Sequence, residues 1–333
     1  MGGYAGGSKR TKNTRAYYSS NPSKLMRLMQ HKREAFWFYR YLSNFYDKLV
    51  NPLFWTEAMR EKSLDVVDWS DAEHLRVLDV GSGTGFTTQG IVRRVPAKNV
   101  VCLDQSPQQM ERAMVKPELE HCRFRLGDAE NLPFDDDTFD RYVSAGSIEY
   151  WPDPQRGVNE AYRVVKEGGQ ALLIGPIEPV NPVSKFIANT WMLFPPENDY
   201  HTYFHRAGFT DVDWVYVRPH WQENERYGIA IVGTKPRPGR SPNAEGRRSR
   251  QQLMATEPEG AWLGRNLLLT GRVLAGSAAG FLFIPMALLA HVSAPLRGIE
   301  GDVQPLNTEQ KVVLAGLGAL LTFFVVRALT RSR

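Results

Sequence analysis

Glu149, Tyr150 and Trp151 stand in a row in GSIEYWPDP (146–154), a carboxylate, a phenol and an indole followed by two prolines. A carboxylate between aromatic walls can take or orient the proton of a substrate hydroxyl while the rings hold a flat acceptor. Upstream, VLDVGSGTGF (77–86) is an apolar run entering a glycine turn, with Asp79 ahead of Gly81, Gly83 and Gly85. Glycines in alternation leave backbone amides and a helix start open to a ligand. A second acid, Asp104, lies in VVCLDQS, 19 residues after Gly85, and a third, Asp128, precedes Ala129 in GDAENLPF. An acid at the end of a second strand can accept both hydroxyls of a ribose. The third carboxylate, with Ala129, suits an adenine edge. A dinucleotide fingerprint needs G-x-G-x-x-G/A, and counting from Gly81 and Gly83 puts Phe86 where the third small residue belongs, so that fingerprint fails.

These side chains need a scaffold, and the pattern around them alternates strand and helix, the mark of an α/β domain with a mostly parallel sheet. Strands are predicted near 76–80, 100–104, 122–127, 139–144 and 170–175, with helices between. The last two, 212–217 and 228–234, are separated only by RPHWQENERY, too short for a crossover helix, and must pair antiparallel. Cys102 and Cys122 are the only cysteines and sit inside predicted strands with no His or Cys at metal-ligand spacing. They read as buried thiols in a reducing compartment, and no metal is expected.

The net charge of +5 conceals an asymmetry. Residues 1–33 carry eight basic side chains and no acid, 34–234 carry 20 basic and 30 acidic, and 235–250 carry six basic against Glu245 alone. Basic flanks beside apolar segments fit an anionic membrane surface better than nucleic acid. Residues 23–46 repeat apolar side chains at helical spacing among Lys24, Arg27, His31, Arg33 and Arg40, a basic amphipathic helix. The chain ends with two apolar runs, VLAGSAAGFLFIPMALLA (273–290), 18 residues without a charge, and VVLAGLGALLTFFVV (312–326), 15 residues. The first is long enough for a membrane-spanning candidate and the second falls short of the roughly 30 Å hydrocarbon core. Basic residues before the first run and after the second place both ends on one side of the membrane. The expected organisation is a basic leader (1–21), a helical lid (22–70), the α/β domain (71–235), a basic linker (236–262) and a membrane anchor of one or two helices (263–333).

The glycine loop and the acids at three successive strand ends closely resemble the seven-stranded S-adenosylmethionine-dependent methyltransferases. That resemblance implies the fold: a seven-stranded Rossmann-like sheet with an antiparallel last strand, here with C-terminal membrane helices added. It also implies roles. The glycine loop lies against the methionine portion of S-adenosylmethionine and Asp79 supports it through the amino group. Asp104 takes the ribose, Asp128 with Ala129 faces the adenine, and Gln105, Ser144 and Tyr46 belong to the same site. HKREAFWFYRYLSNFYDKLVNPLFW (31–55), DRYVSAGSIEYWPDPQRGVNEAYRVVKEGGQALLIGP (140–176) and WMLFPPENDYHTYFHRAGF (191–209) resemble more narrowly the plastid 2-methyl-6-phytyl- and 2-methyl-6-solanyl-hydroquinone methyltransferases of plants and algae.

That family implies a prenylated hydroquinone lipid as acceptor, in plastoquinone and tocopherol synthesis, at the plastid inner envelope membrane with the catalytic domain on the stromal side. In such a site Glu149 is the expected base, Tyr150 and Trp151 wall the ring, and the runs FWFY (36–39) and WMLF (191–194) line an apolar entrance. His31, Tyr46 and Asp47 are the next candidates for the proton. Core filling by those aromatic runs, and capping of the helix after Pro154 by the Glu149 stretch, are the competing structural readings. A methyltransferase for another lipid, or a tethered module that binds the cofactor without turnover, are the competing functions.

Overall fold

The structure, a computed structural model, describes residues 51–180, 182, 185, 194–244, 285–298 and 305–331. The leader, the amphipathic helix with His31, FWFY, Tyr46 and Asp47, most of WMLF, the linker from 245 and the first apolar run as far as 284 lie outside the described residues.

Seven strands form one sheet: β1 (Val77–Val80), β2 (Val100–Asp104), β3 (Arg123–Leu126), β4 (Phe139–Ala145), β5 (Val165–Pro176), β6 (Thr210–Val217) and β7 (Gly228–Thr234). Their order is β3-β2-β1-β4-β5-β7-β6. The first five run parallel, and β7 is antiparallel to both β5 and β6, as the short link between the last two strands requires. Strands buried on both faces are apolar without a break, and their alternate side chains divide between two cores. Leu78, Leu173, Ile229 and Ile231 enter one, and Val77, Leu172, Ala230 and Val232 the other. Cys102 and Cys122 are free, buried thiols.

Helices α1 (Glu57–Leu64), α2 (Phe86–Ile91), α3 (Pro107–Met114), α4 (Pro154–Val164) and α5 (Glu197–Ala207) connect and cover the sheet. Local chemistry fixes their starts. Thr56, Ser106 and Asp153 cap α1, α3 and α4 by accepting from the amides of Met59, Gln109 and Arg156, and proline occupies the first position of α3 and α4. The cap of α4 is therefore Asp153, and Glu149 has no part in it. Strand β5 begins five residues before its predicted start because Lys166, Glu167, Gly168 and Gly169 disguise it. Val165 still pairs with Phe139, and Gly169 accepts from Lys235 of the neighbouring chain segment.

The basic stretch after β7 is not the free flank its composition suggests. Lys235 is fully buried and its ammonium reaches Asp137 and the carbonyl of Val165; Arg240 pairs with Asp136, and Gly239 donates to Asp137. These residues strap the chain to the domain.

Beyond the linker, a helical segment over 285–293 and the long helix α6 (Thr308–Arg331) carry the apolar tail. Ala287 and Leu288 are buried with Leu53, and Phe54, Trp221, Leu306, Val313 and Leu314 pack on them. Arg297 donates to the carbonyl of Trp221 and pairs with Glu223. Among the described residues no helix is long and apolar enough to cross a membrane. The expected C-terminal membrane helices thus find no support there: the second run has only 15 uncharged residues, about 22 Å of helix, and its first turns pack on the body.

Helix α4 turns on one glycine, Gly157, against which the Trp151 ring lies; a Cβ there would come within 2.5 Å of Trp151 Cζ3. Alanine is the better helix former by about 1 kcal/mol, but the overlap is with a ring that is only 6% exposed and has little room to yield. Gly157→Ala is expected to lower stability by about 1–3 kcal/mol, read as a fall in the urea midpoint. An unchanged or raised midpoint would show that the ring can move.

Candidate active site

The carboxyl ends of β1, β2, β3 and β4 open into one cavity, the place where an open parallel sheet receives its ligand. Its floor is the loop after β1. Gly81 and Gly83 hold left-handed φ values of 70° and 55°, and a Cβ on either would collide with Ser147 or Gln109, so only glycine lets the backbone approach. The amides of Gly81 and Ser82 donate to the carbonyl of Leu103, and that of Gly83 to Asp104 Oδ2 at 2.8 Å. The other oxygen of Asp104 accepts from the Ser106 amide at 2.8 Å. Burial raises the Asp104 carboxyl above its ordinary range, against the lowering effect of the Ser106, Gly83 and Gln105 amides.

Gly81, Gly83, Asp104, Gln105, Asp128 and Ala129 all line this cavity, as does Tyr150. Asp79, Gly85 and Ser144 stand behind its wall. Asp79 is 1% exposed and accepts from Thr88 Oγ1 at 2.6 Å, while its Oδ1 has no partner among the described residues; burial pushes its carboxyl up to about 7. Gly85 starts α2 and packs on Ala113 and Leu119. Ser144 donates to the carbonyl of Val80 and meets Ser147, which reaches the cavity in its place. His31 and Tyr46 lie outside the described residues.

Trp55, Arg60, Ser147 and Gln109 are among the lining residues that no motif singles out. Ser147 follows Ser144 by three residues and was within reach of the motif. Trp55 and Arg60 precede the glycine loop by more than 20 residues; the packing of α1 on α2 brings Arg60 to it, and Trp55 rests against Gly146 and Gly228.

The cavity fits S-adenosylmethionine on its own chemistry. It offers carboxylates at two successive strand ends, a glycine backbone floor, aromatic walls from Trp55, Phe86, Tyr150 and Trp151, and a buried Ser82 hydroxyl with no partner among the described residues.

Glu149 lies beside this cavity, not in its lining. It sits in the helical turn Ile148–Tyr150 that follows β4, 4% exposed. The open Cα of Gly146 faces both its Oε1 and the Trp55 indole N–H, and a Cβ there would stand 3.8 and 3.6 Å from them. Among the described residues its Oε2 has no hydrogen-bond partner. Burial pushes the carboxyl up to about 8, with only its own backbone amide opposing, and its charge helps raise the neighbouring Tyr200 phenol. Tyr200 itself donates to the carbonyl of Pro176 at 2.8 Å. A carboxyl poised this far above its usual range can hold or accept a proton near neutral pH.

Comparison with known proteins agrees with this geometry. Residues 78–173 match a family described as a methyltransferase domain. The chloroplastic 2-methyl-6-phytyl-1,4-hydroquinone methyltransferase of Arabidopsis thaliana is 50% identical over 273 residues, 80% of this chain and 79% of its own. An Oryza sativa subsp. japonica protein of that name, numbered 1, is 51% identical over 232 residues, 68% and 70% of the two chains. The demethylmenaquinone methyltransferase of Chlorobaculum parvum is 36% identical over 111 residues, 33% and 44%. The crystal structure of the cyclase SpnF superposes with a TM-score of 0.51 at 17% identity, over 63% of this chain and 97% of that one, which shows the fold alone. On the strength of the long matches, this chain belongs to the 2-methyl-6-phytyl-1,4-hydroquinone methyltransferase family and is an S-adenosylmethionine-dependent methyltransferase.

Proposed function

We infer that the chain methylates the ring of a prenylated methylhydroquinone, of the 2-methyl-6-phytyl or 2-methyl-6-solanyl kind, in plastoquinone and tocopherol synthesis, with Glu149 as the base. The observation that carries the base assignment is a buried, unpartnered carboxyl oxygen on Glu149 beside the donor cavity. The donor supplies an electrophilic methyl group from its sulfonium. The protein's part is to align that group with a ring carbon, exclude water, and raise the electron density of the ring. A phenol titrates near 10, two units or so above Glu149, so the carboxylate can accept the hydroxyl proton as the carbon–carbon bond forms. The new bond forms from the ring electrons as the carbon–sulfur bond breaks. The ring then loses the proton from the methylated carbon, and the hydroxyl regains one. Tyr150, Trp151 and Trp55 line the cavity and would wall the acceptor so that the face of its ring, where the π electrons lie, is turned to the donor.

The same reading places the chain in the chloroplast, at the inner envelope membrane with the catalytic domain facing the stroma. The long relatives are named chloroplastic. Attachment through the C-terminal region is supported by the 18 uncharged residues of 273–290, among which Met286 and Leu289 are exposed, and by the exposed Leu296 beyond them.

Incubating the full chain in liposomes with labelled donor and the two prenylated methylhydroquinones tests the acceptor: label in the ring is expected, and label in lipid amines or sterols alone would overturn it. Glu149→Gln is expected to lower kcat about 10²- to 10⁴-fold with binding of S-adenosylhomocysteine within about threefold of wild type, and to remove the rise in rate with pH that deprotonation of the base produces. An unchanged rate removes Glu149 as base.

The same carboxyl predicts a stability trend. Its folded value of about 8 lies above the ordinary 4.5, so between roughly pH 5 and 8 the folded chain holds a proton that the unfolded chain has released. Stability is therefore fullest below that window and falls as pH rises through it. Glu149→Gln should flatten the fall, with Asp79 accounting for part of what remains; unfolding midpoints with identical slopes would show that Glu149 does not titrate there.

A further inference from the structure

Arg60 is the one cation among the described residues lining the donor cavity. The guanidinium is 2% exposed, and an ion taken out of water to that degree costs several kcal/mol unless it is paired. Its fixed partners are Glu61 Oε1, at 2.9 Å from Nε and 2.7 Å from Nη2, and the carbonyl of Phe86, at 3.0 Å from Nη1. Its Cζ also lies 4.7 Å from the centre of the Phe86 ring. Those bonds use three of the five N–H groups a guanidinium carries. Glu57 stands farther off at 3.7 Å and is half exposed. Glu61 is itself shared with Arg94 at 2.6 Å and Arg93 at 3.3 Å. The arrangement fixes the plane of Arg60 from the protein side and, among the described residues, leaves one N–H on each Nη without a hydrogen-bond acceptor.

The ligand has a matching need. One end of S-adenosylmethionine is an adenosine, for which Asp104 and Asp128 stand ready at the exits of β2 and β3. The other end is an amino acid with a carboxylate that must leave water when the donor binds. The other charged side chains in the lining, Asp104 and Asp128, repel that carboxylate. Phe86, over which Arg60 lies, opens α2 directly after the glycine loop, on the β1 side of the cavity and away from β3.

We propose that Arg60 binds the α-carboxylate of the methyl donor through its two uncommitted N–H groups, so that α1 sets where the sulfonium stands relative to the acceptor. The proposal rests on the donor, not on the identity of the acceptor, and its test needs no acceptor at all.

Calorimetry should compare S-adenosylhomocysteine with its decarboxylated analogue, which keeps adenosine, sulfur and amino group. Wild type is expected to bind the analogue roughly 10- to 100-fold more weakly, the range of a charge-assisted pair. In Arg60→Met the ratio should collapse to within about twofold, with the analogue bound as in wild type. Each ratio is taken within one protein sample, so the fraction folded cancels. Arg60→Lys keeps a cation over Phe86 and so guards the fold; it should still cut the ratio severalfold, because an ammonium cannot replace the planar fork. Equal binding of both ligands by wild type, an unchanged ratio in either variant, or equal weakening of both ligands would overturn the proposal.

Discussion

One carboxylate ties the donor site together. Asp104 accepts from Gly83 with one oxygen and from Ser106 with the other, so the loop leaving β1 and the start of α3 leaving β2 are fixed to the same side chain. The backbone of Gly81 and Ser82 adds bonds to the neighbouring Leu103 carbonyl. A loop of alternating glycines has more conformations to lose than any other sequence, and these bonds restrict it before a ligand arrives. Preorganisation of this kind matters more here than acid–base chemistry, because the reactivity of the methyl group belongs to the donor and the protein contributes mainly alignment.

Alignment also explains the unusual burial of acids near the sheet's carboxyl edge. Asp79, Asp104 and Glu149 are all nearly inaccessible, and burial raises each of them. Carboxyls whose ionised forms are disfavoured by burial make a favourable host for a ligand carrying a sulfonium and an ammonium, since nearby positive charge favours ionisation. The Asp79 oxygen without a partner and the Ser82 hydroxyl at the loop fit the same account.

Much of this could be seen in the residues alone, for a physical reason: strand ends and glycine turns carry their ligand chemistry locally. The glycine loop, Asp104 and Asp128 each sit within a short motif, and the antiparallel pairing of β6 and β7 follows from the length of RPHWQENERY. What depends on packing could not be seen. Arg60 reaches the cavity because α1 folds over α2, Trp55 because its ring rests against Gly146 and Gly228, and Ser147 takes the place of Ser144 because β4 ends one residue past it. Charge counting also misled. Lys235 and Arg240 belong to the basic stretch 235–250, yet Asp136 and Asp137, on a turn more than 95 residues earlier, claim both of them. A sum of charges along the chain does not distinguish a solvated cation from one that closes the domain.

The tail meets the domain at a telling place. Ala287 and Leu288 pack on Leu53, the carbonyl of Leu53 accepts from the Trp221 indole, and Arg297 holds the Trp221 carbonyl. Two residues past Leu53 stands Trp55, whose ring rests against Gly146 and Gly228 and borders the donor cavity. A displacement of the C-terminal segment would therefore reach, through a lever only a few bonds long, an indole that borders the donor cavity. Clipping that segment to obtain a more tractable enzyme would remove packing from beneath one wall of the chamber.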